Sequence, residues 1–498
     1  MPADPRSPCI IGIARRTWHE ADAPDGAPEP LLMWELVAHE AAADAGAPGA
    51  VKGLESIDVV YSQSWQYDDP AARLAERLGA APTRTNYSGI GGSVPQVLAA
   101  DVASAIISDG LDLALIVGAE ALATVRRLKK AGEKPQWSFR PAERRPFPMD
   151  MTFLPSEISH SVFEAYLTFA LFDNARRAHL GRTLQQHASA LGRLLAPLTE
   201  VAAGSPHAWF PVARTGSEIV TPTAANRMVA YPYTKLMTAI MDVDMAAGLL
   251  MASAAKADAL GVPEEKRVYL HGWGYAEDPA HVAAHGDLWR SPAMAAASGA
   301  ALSSAGITVD DVAHFDLYSC FASSVNFAQD ALGLAEDDGR GVTQTGGLPY
   351  HGGPGSDYMT HSIAAMAETL RADPGSYGVT SGVGMHMQKH VYGVWSAAPG
   401  TPAGTGSGPS SPLASNGAVL DIVESPEGAA TVATYSVLHG RDGGPESALL
   451  ICDLPDGARC YAKLNGGTEV LAAAESTELI GQRVTVTPKD GINLADLV

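Results

Sequence analysis

A repeat constrains this chain more than any other feature of its sequence. Residues 9–14 (CIIGIA) read as an apolar strand. A helix follows over 31–46, stopped by a glycine, then a strand over 57–64. A Gly-rich turn opens a small-residue helix over about 92–109, and residues 111–122 close the unit as a strand. The same order returns later: strand 267–277, helix 291–306 ending again in Ala-Gly, strand 314–320, Gly-rich turn and helix 352–373, strand 376–384. Two units of like order predict two similar α/β halves. Apolar strands set between helices predict buried, largely parallel sheets.

The repeat also sets the boundaries: a first half over 1–122, an insertion over 123–265 and a second half over 266–397. A linker over 398–417, rich in Pro, Gly, Ser and Thr, predicts a flexible or irregular path. Residues 418–498 change pattern to about five short strands separated by Gly, Asp and Pro turns. That pattern predicts a small β-barrel of OB type.

Charge and cysteine content narrow the function classes. A formal charge of −21 over 498 residues argues against a nucleic-acid or membrane-surface protein. The four cysteines, Cys9, Cys320, Cys452 and Cys460, form no CxxC and no disulfide framework. No charged-then-apolar leader and no apolar run of about 18 residues is present, so a cytoplasmic protein without a membrane span is expected. Against the acidic background one basic cluster stands out. Arg126, Arg127, Lys129, Lys130, Lys134, Arg140, Arg144 and Arg145 face only Glu133 and Glu143 there. It reads either as a solvated loop or as a phosphate contact.

Four loops fall at strand ends or helix starts, where open α/β sheets hold ligands. They are residues 86–93 (NYSGIGGS), 316–324 (DLYSCFASS), 345–361 (TGGLPYHGGPGSDYMTH) and 382–390 (GVGMHMQKH). The first is not a dinucleotide fingerprint, because Val94 stands where a third glycine belongs. In the fourth, His386 and His390 have the i, i+4 spacing of a metal pair, but no HExxH pattern and no nearby acid accompanies them. No metal site is expected, and the loop reads as pocket lining.

The second and third loops carry a resemblance. YSCF at 318–321 resembles the HDCF motif of sterol-carrier-type thiolases, and GGLPYHGGPG at 346–355 resembles their GG…GHPxG loop. The chain is similar to the thiolase superfamily over about residues 8–396. With its β-domain it looks most like the actinobacterial monomeric thiolase-like proteins, often labelled acetyl-CoA acetyltransferases. The resemblance implies a layered α-β-α-β-α thiolase fold and coenzyme A or acyl-CoA as substrate or ligand. It also implies a monomer, with a homodimer as the alternative.

Carried over residue by residue, the resemblance implies a depleted site. The position of the thiolase cysteine nucleophile falls at Gly91–Ser93, best on Gly91, and the GHP histidine falls on Gly353, with His351 two residues earlier. The CxG loop becomes SGVG at 381–384, without cysteine. Cys320 keeps the position of the acid/base cysteine of the sterol-carrier branch. Tyr318, Tyr350 and His351 are the other candidates for acid–base work or for orienting a carbonyl. Ser93 is a substitute nucleophile or a helix cap. Gly91, Gly92, Gly353 and His390, with Arg126, Arg127, Lys129 and Lys130, are the expected cofactor-binding residues.

Three functions stay open. The first is an acyltransferase making or breaking a C–C bond beside a CoA thioester. The second is a retro-aldolase on β-hydroxyacyl-CoA, as in the thiolase-fold aldolases of steroid side-chain degradation. Those enzymes lack the nucleophile, use tyrosines and depend on a partner's OB domain, a role the fused β-domain here could fill. The third is a CoA- or acyl-CoA-binding protein without turnover.

Overall fold

The computed structural model describes residues 3–20, 22–23, 25–149, 151–400 and 407–498. Residues 401–406 of the predicted linker therefore lie outside the described residues. The strands of the first half are Pro8–Thr17 (β1), Ser56–Val59 (β2), Arg84–Tyr87 (β3) and Leu113–Ala121 (β4). A short hairpin follows, Met228–Ala230 (β5) and Tyr233–Thr234 (β6). Then come Asp244–Ser253 (β7), Val268–Glu277 (β8), Val312–Asp316 (β9), Tyr377–Gly384 (β10) and Lys389–Ser396 (β11). Nine of these join in the order β3-β2-β4-β7-β1-β8-β11-β10-β9.

That order is nearly a palindrome about its centre. β1 and β8 meet antiparallel through Cys9–Tyr269 and Ile10–Val268. Outward from them lie β7 and β11, then β4 and β10, then β2 and β9. Only the first half adds an edge strand, β3. The expected repeat is thus present, with two corrections. The sheet is mixed rather than largely parallel: β2–β3, β2–β4 and β9–β10 are parallel, while β7 and β11 run against both their neighbours. The physical reason is the closing strand of each half. β11 returns from β10 through a four-residue turn, and such a connection permits only antiparallel pairing. Second, β7 falls inside the stretch read as an insertion, yet it is buried along its whole length between β4 and β1.

Helices complete five layers. Pro30–Asp44 and Pro70–Leu78 cover the outer face of the first half, burying Trp34, Val37 and Leu74 against β2, β4 and β7. Val94–Ser108 and Tyr358–Ala372 share the middle layer, where Leu98, Val102, Ile363 and Met366 form one core with Ile10, Ile116, Met251, Leu270 and Trp395. Pro292–Ala305 and Ala322–Leu332 cover the second half. The two middle helices are apolar on most sides, as helices enclosed between the two halves of the sheet must be.

The C-terminal strands are Gly428–His439 (β12), Pro445–Asp453 (β13), Arg459–Leu464 (β14), Arg483–Lys489 (β15) and Ile492–Leu497 (β16). They close as β12-β13-β14-β16-β15-β12, with β14 and β16 parallel and the helix Thr468–Ala473 between β14 and β15. This is the five-stranded barrel the turn spacing predicts, in the strand order of an OB fold. The linker's second part is irregular but held: Leu413 bridges Ala276, and the Ser415 hydroxyl donates to the Glu277 carbonyl. Among the described residues no helix is long and apolar enough to cross a membrane.

Candidate functional site

Two Gly-rich turns meet where the middle helices begin. The Gly91 N–H donates to the Ser356 hydroxyl at 3.0 Å, joining the turn before Val94–Ser108 to the turn before Tyr358–Ala372. Gly91, the expected nucleophile position, has a φ of +150° that disfavours any side chain, and its N–H is already spent on Ser356. Gly92 is more tightly constrained. A Cβ there would lie 2.0 Å from the Tyr318 hydroxyl and 2.5 Å from the Val383 carbonyl. Tyr318 thus occupies the space beside the turn, and no cysteine fits at 92 without displacing it.

The YSCF loop sits across from this turn. The Tyr318 N–H donates to the Ser381 hydroxyl, and the Ser324 hydroxyl donates back to the Tyr318 carbonyl. Cys320 is buried, with Sγ 3.6 Å from the Ser324 hydroxyl. Burial pushes its thiol up to about 12, so it is protonated at neutral pH. Phe321 stacks between Phe169 and Tyr233, at 4.8 and 5.4 Å, fixing the loop in the core. Ser93 is buried at the helix start, but its side chain caps nothing. The cap reading is therefore corrected: at φ −84° and ψ −14° the residue is already helical, not in the extended conformation a capping serine needs.

The third loop is stitched to the second by the Leu348 N–H donating to the Ser319 hydroxyl. Asp316 organises both, accepting from the Gln344 and Thr345 N–H groups and from the Ser362 hydroxyl. Tyr350 and His351 follow, both buried. The Tyr350 hydroxyl and both His351 ring nitrogens make no hydrogen bond of normal geometry. Burial pushes His351 down to about 3, with the Arg15 and His207 charges adding to it, so the imidazole is neutral. At Gly353, in the place of the GHP histidine, a Cβ would lie 3.1 Å from the Leu348 side chain, and the Gly353 N–H donates to the Ile240 carbonyl.

Sequence reasoning missed two members of this cluster. Asp357 and His361 stand one helical turn apart, an i, i+4 spacing legible in DYMTH, with His361 Nε2 3.6 Å from Asp357 Oδ2. The His361 ring packs edge-on to His351 at 5.2 Å between centroids. Tyr358 bridges the cluster, its ring edge-on to Tyr318 at 5.6 Å and to His351 at 5.9 Å. Burial pushes the Asp357 carboxyl well above and the His361 imidazole well below their ordinary ranges. Both shifts run against the charged forms, because burial strips each group of water. Below the pair lies Glu120, also fully buried, which accepts from the Gln63 and Ser64 N–H groups and is raised to about 7 by burial. The Gly352–Asp357 turn thus gathers Gly91 through Ser356, Glu120 through Gly355 and His361 through Asp357.

Other expected residues lie apart from this cluster. His390, on β11, is tied to Asp278 at 3.1 Å and to the Met387 carbonyl, so it is an internal partner rather than an exposed cofactor contact. Residues 385–388 are a turn, so His386 and His390 share no helix face. His386 instead meets the Thr168 hydroxyl at 2.9 Å, and burial pushes it down to about 4.

The basic cluster divides between two grooves. Arg126, Arg127 and Lys130, on the helix Leu122–Lys130, line a groove of about 330 Å³ with Trp18 and Trp209. Arg126 is already paired with Asp242 there, whereas Lys129 and Lys130 are exposed. Lys134, Arg140, Arg144 and Arg145 line a second groove of about 740 Å³.

Two halves layered around a shared helix pair, with a Gly-rich turn at the start of each middle helix, define a thiolase fold. Solved structures agree. Human mitochondrial 3-ketoacyl-CoA thiolase in complex with CoA is 15% identical with a TM-score of 0.56, covering 80% of this chain and all of that one. Acetyl-CoA acetyltransferase from Syntrophomonas wolfei is 14% identical with a TM-score of 0.54, covering 78% of this chain and 99% of that one. A monomeric SCP2-thiolase-like protein type 1 from Mycobacterium smegmatis is 32% identical with a TM-score of 0.84, and the match covers 100% of both chains. Residues 414–491 match the thiolase-like protein type 1 additional C-terminal domain. The chain belongs to the SCP2-thiolase-like proteins of type 1. No curated protein matches it.

Proposed function

We propose that this chain binds acyl-CoA thioesters without forming a covalent acyl-enzyme. The observation that carries this reading is that Gly91, in the place of the thiolase nucleophile, bears no side chain and spends its N–H on Ser356, while the Tyr318 hydroxyl fills the space beside the next residue, Gly92. The remaining groups point the same way. The Cys320 thiol is protonated with Ser324 as a side-chain partner, and among the described residues the neutral His351 makes no hydrogen bond that could activate a nucleophile. Ligand binding is supported by the fold shared with a thiolase solved with CoA and by the basic segment 126–145 in a chain of net charge −21.

Calorimetry with CoA and intact-mass analysis after incubation with acetyl-CoA or acetoacetyl-CoA test it together. Saturable CoA binding with an unmodified protein mass is expected. An acyl adduct on Cys320 or Ser93, or thiolysis of acetoacetyl-CoA, overturns it.

A second reading is a retro-aldolase on β-hydroxyacyl-CoA. It is favoured by the C-terminal barrel, whose OB strand order places in one chain the type of domain such aldolases take from a partner. Release of an aldehyde or ketone from a β-hydroxyacyl-CoA would support it over the first.

A further inference from the structure

The larger groove lies outside the cluster around Gly92, between the chain leaving β2 and the arm formed by residues 134–147. Its walls are aromatic. Tyr61 packs on Tyr87 at 5.7 Å and meets the edge of Phe147 at 6.0 Å. Trp65 meets the edge of Trp137 at 5.6 Å and donates its indole N–H to the Ser138 carbonyl. Its rim is cationic. Lys134, Arg140 and Arg144 are exposed, and among the described residues none of the three has an ion-pair partner. In a chain with 55 acidic and 34 basic residues, three unpaired cations around one cavity are a local reversal of charge.

The arm is also held in place. Glu29 accepts from the Ser138 N–H and hydroxyl. The Asp68 N–H donates to the Phe139 carbonyl. Gln66 clamps Arg145 from both sides, accepting from its N–H and donating to its carbonyl, each at 3.1 Å. These bonds fix the arm's backbone, and the Arg145 guanidinium donates to the Asp68 carbonyl, while Lys134, Arg140 and Arg144 line the groove. The Arg140 guanidinium lies 5.9 Å above the Trp65 ring. A cavity of about 740 Å³ is of the size that holds a small organic ligand. Flat aromatic walls suit a ring, and fixed unpaired cations suit phosphate.

We propose that this groove binds a phosphorylated nucleoside, with the base against Trp65 and Tyr61 and the phosphates on Lys134, Arg140 and Arg144. The nucleotide end of CoA and a free nucleotide share that chemistry. Only the first of these sources rests on the acyl-CoA reading above.

Tryptophan fluorescence and calorimetry would be run on the full chain with ADP, CoA and inorganic phosphate. ADP and CoA are expected to bind the wild type, more weakly as salt rises. The triple variant Lys134→Ala/Arg140→Ala/Arg144→Ala is expected to bind both more than roughly tenfold more weakly with an unchanged Tm, since each charge-assisted contact is strong and the side chains are exposed. Trp65→Leu is expected to weaken ADP by about fivefold or more while sparing inorganic phosphate. Equal affinity of the wild type and a folded triple variant overturns the groove and leaves acyl-CoA binding standing. ADP binding that is lost in the triple variant, with CoA no tighter than ADP, supports the groove and removes the acyl-CoA source. No binding of either ligand to the wild type overturns both.

Discussion

Gly92 shows how one missing Cβ sets the character of the site. The Tyr318 hydroxyl and the Val383 carbonyl fill the space a side chain would need. Gly92→Ala is expected to cost ~1–3 kcal/mol, the usual range for overpacking a filled core. Tyr318→Ala made in the same protein should recover part of that loss, because it removes one of the two clashing groups. A double-mutant cycle by urea denaturation measures the coupling. Additive costs would mean that Tyr318 does not hold the space beside Gly92. Glu120 offers a test by pH. Its carboxyl rises from 4.5 to about 7 on burial, so the folded state holds a proton that the unfolded state has lost between those values. Stability from this group is therefore complete below about pH 4.5, falls as pH rises towards 7, and is level above it, a loss of roughly 3 kcal/mol. Glu120→Gln is expected to remove that slope, read as the difference between wild type and variant in urea midpoint across the same pH range. Parallel profiles would show that Glu120 is not the buried acid described.

At the scale of elements, the barrel is fastened by single side chains. The Tyr461 hydroxyl, on β14, accepts from the Ala283 N–H at 2.9 Å and donates to Glu157 Oε1 at 2.8 Å. Glu157 is buried and also accepts from the Leu154 N–H. Tyr461→Phe keeps the volume but leaves a buried carboxylate and an N–H short of one partner each. A loss of roughly 2–3 kcal/mol is expected, with faster amide exchange in the helix Pro155–Ser159, whose start Glu157 secures. A neutral effect in both measurements would place the fastening elsewhere. How much of the molecule is legible in the sequence follows the same elements. The helices and strands of the repeat show in sequence because their apolar runs are bounded by Gly and Pro. β3, with the sequence RTNY, does not show, because an edge strand this short and polar has no apolar face to betray it. β7 is missed for the opposite reason. MAAGLLMAS is apolar throughout, so no alternation separates strand from helix, and the insertion before it hides its partners. In the site, Tyr318 and the Gly91–Gly92 turn are legible as loops of one edge, since fold topology brings strand ends together. That Asp357 and His361 join His351 depends on packing between halves. His390 is misplaced because its partner Asp278 lies 112 residues away on the chain leaving β8.

For the whole molecule, assembly and integrity both depend on what covers the sheet ends. The first edge, β3, spans four residues (RTNY), a short polar strand poorly suited to pairing with another copy. The Mycobacterium smegmatis relative is monomeric. Light scattering is expected to give one chain of 51.8 kDa at micromolar concentration, and twice that mass would contradict it. Part of the second half is covered by the barrel itself. Leu449, Ile451 and Tyr461 belong to the same apolar core as Phe172, Phe327 and Tyr275, so the barrel turns one face into the second half rather than hanging from a linker. β12 also pairs with β5 of the insertion through Leu438 and Ala230, and the Asn174 side chain donates to the Tyr435 carbonyl. Removing residues 418–498 therefore strips apolar area from two places at once and leaves the β5–β6 hairpin without the strand it joins. At about 1.5–3 kcal/mol for each large apolar side chain uncovered, exposing a few of them costs an amount comparable with a typical margin of stability. The chain cut after residue 397 is expected to aggregate or to bind a hydrophobic dye strongly, with loss of near-UV circular dichroism. A soluble, cooperatively unfolding fragment 1–397 would show that the barrel is an appendage and that the two halves carry their own fold.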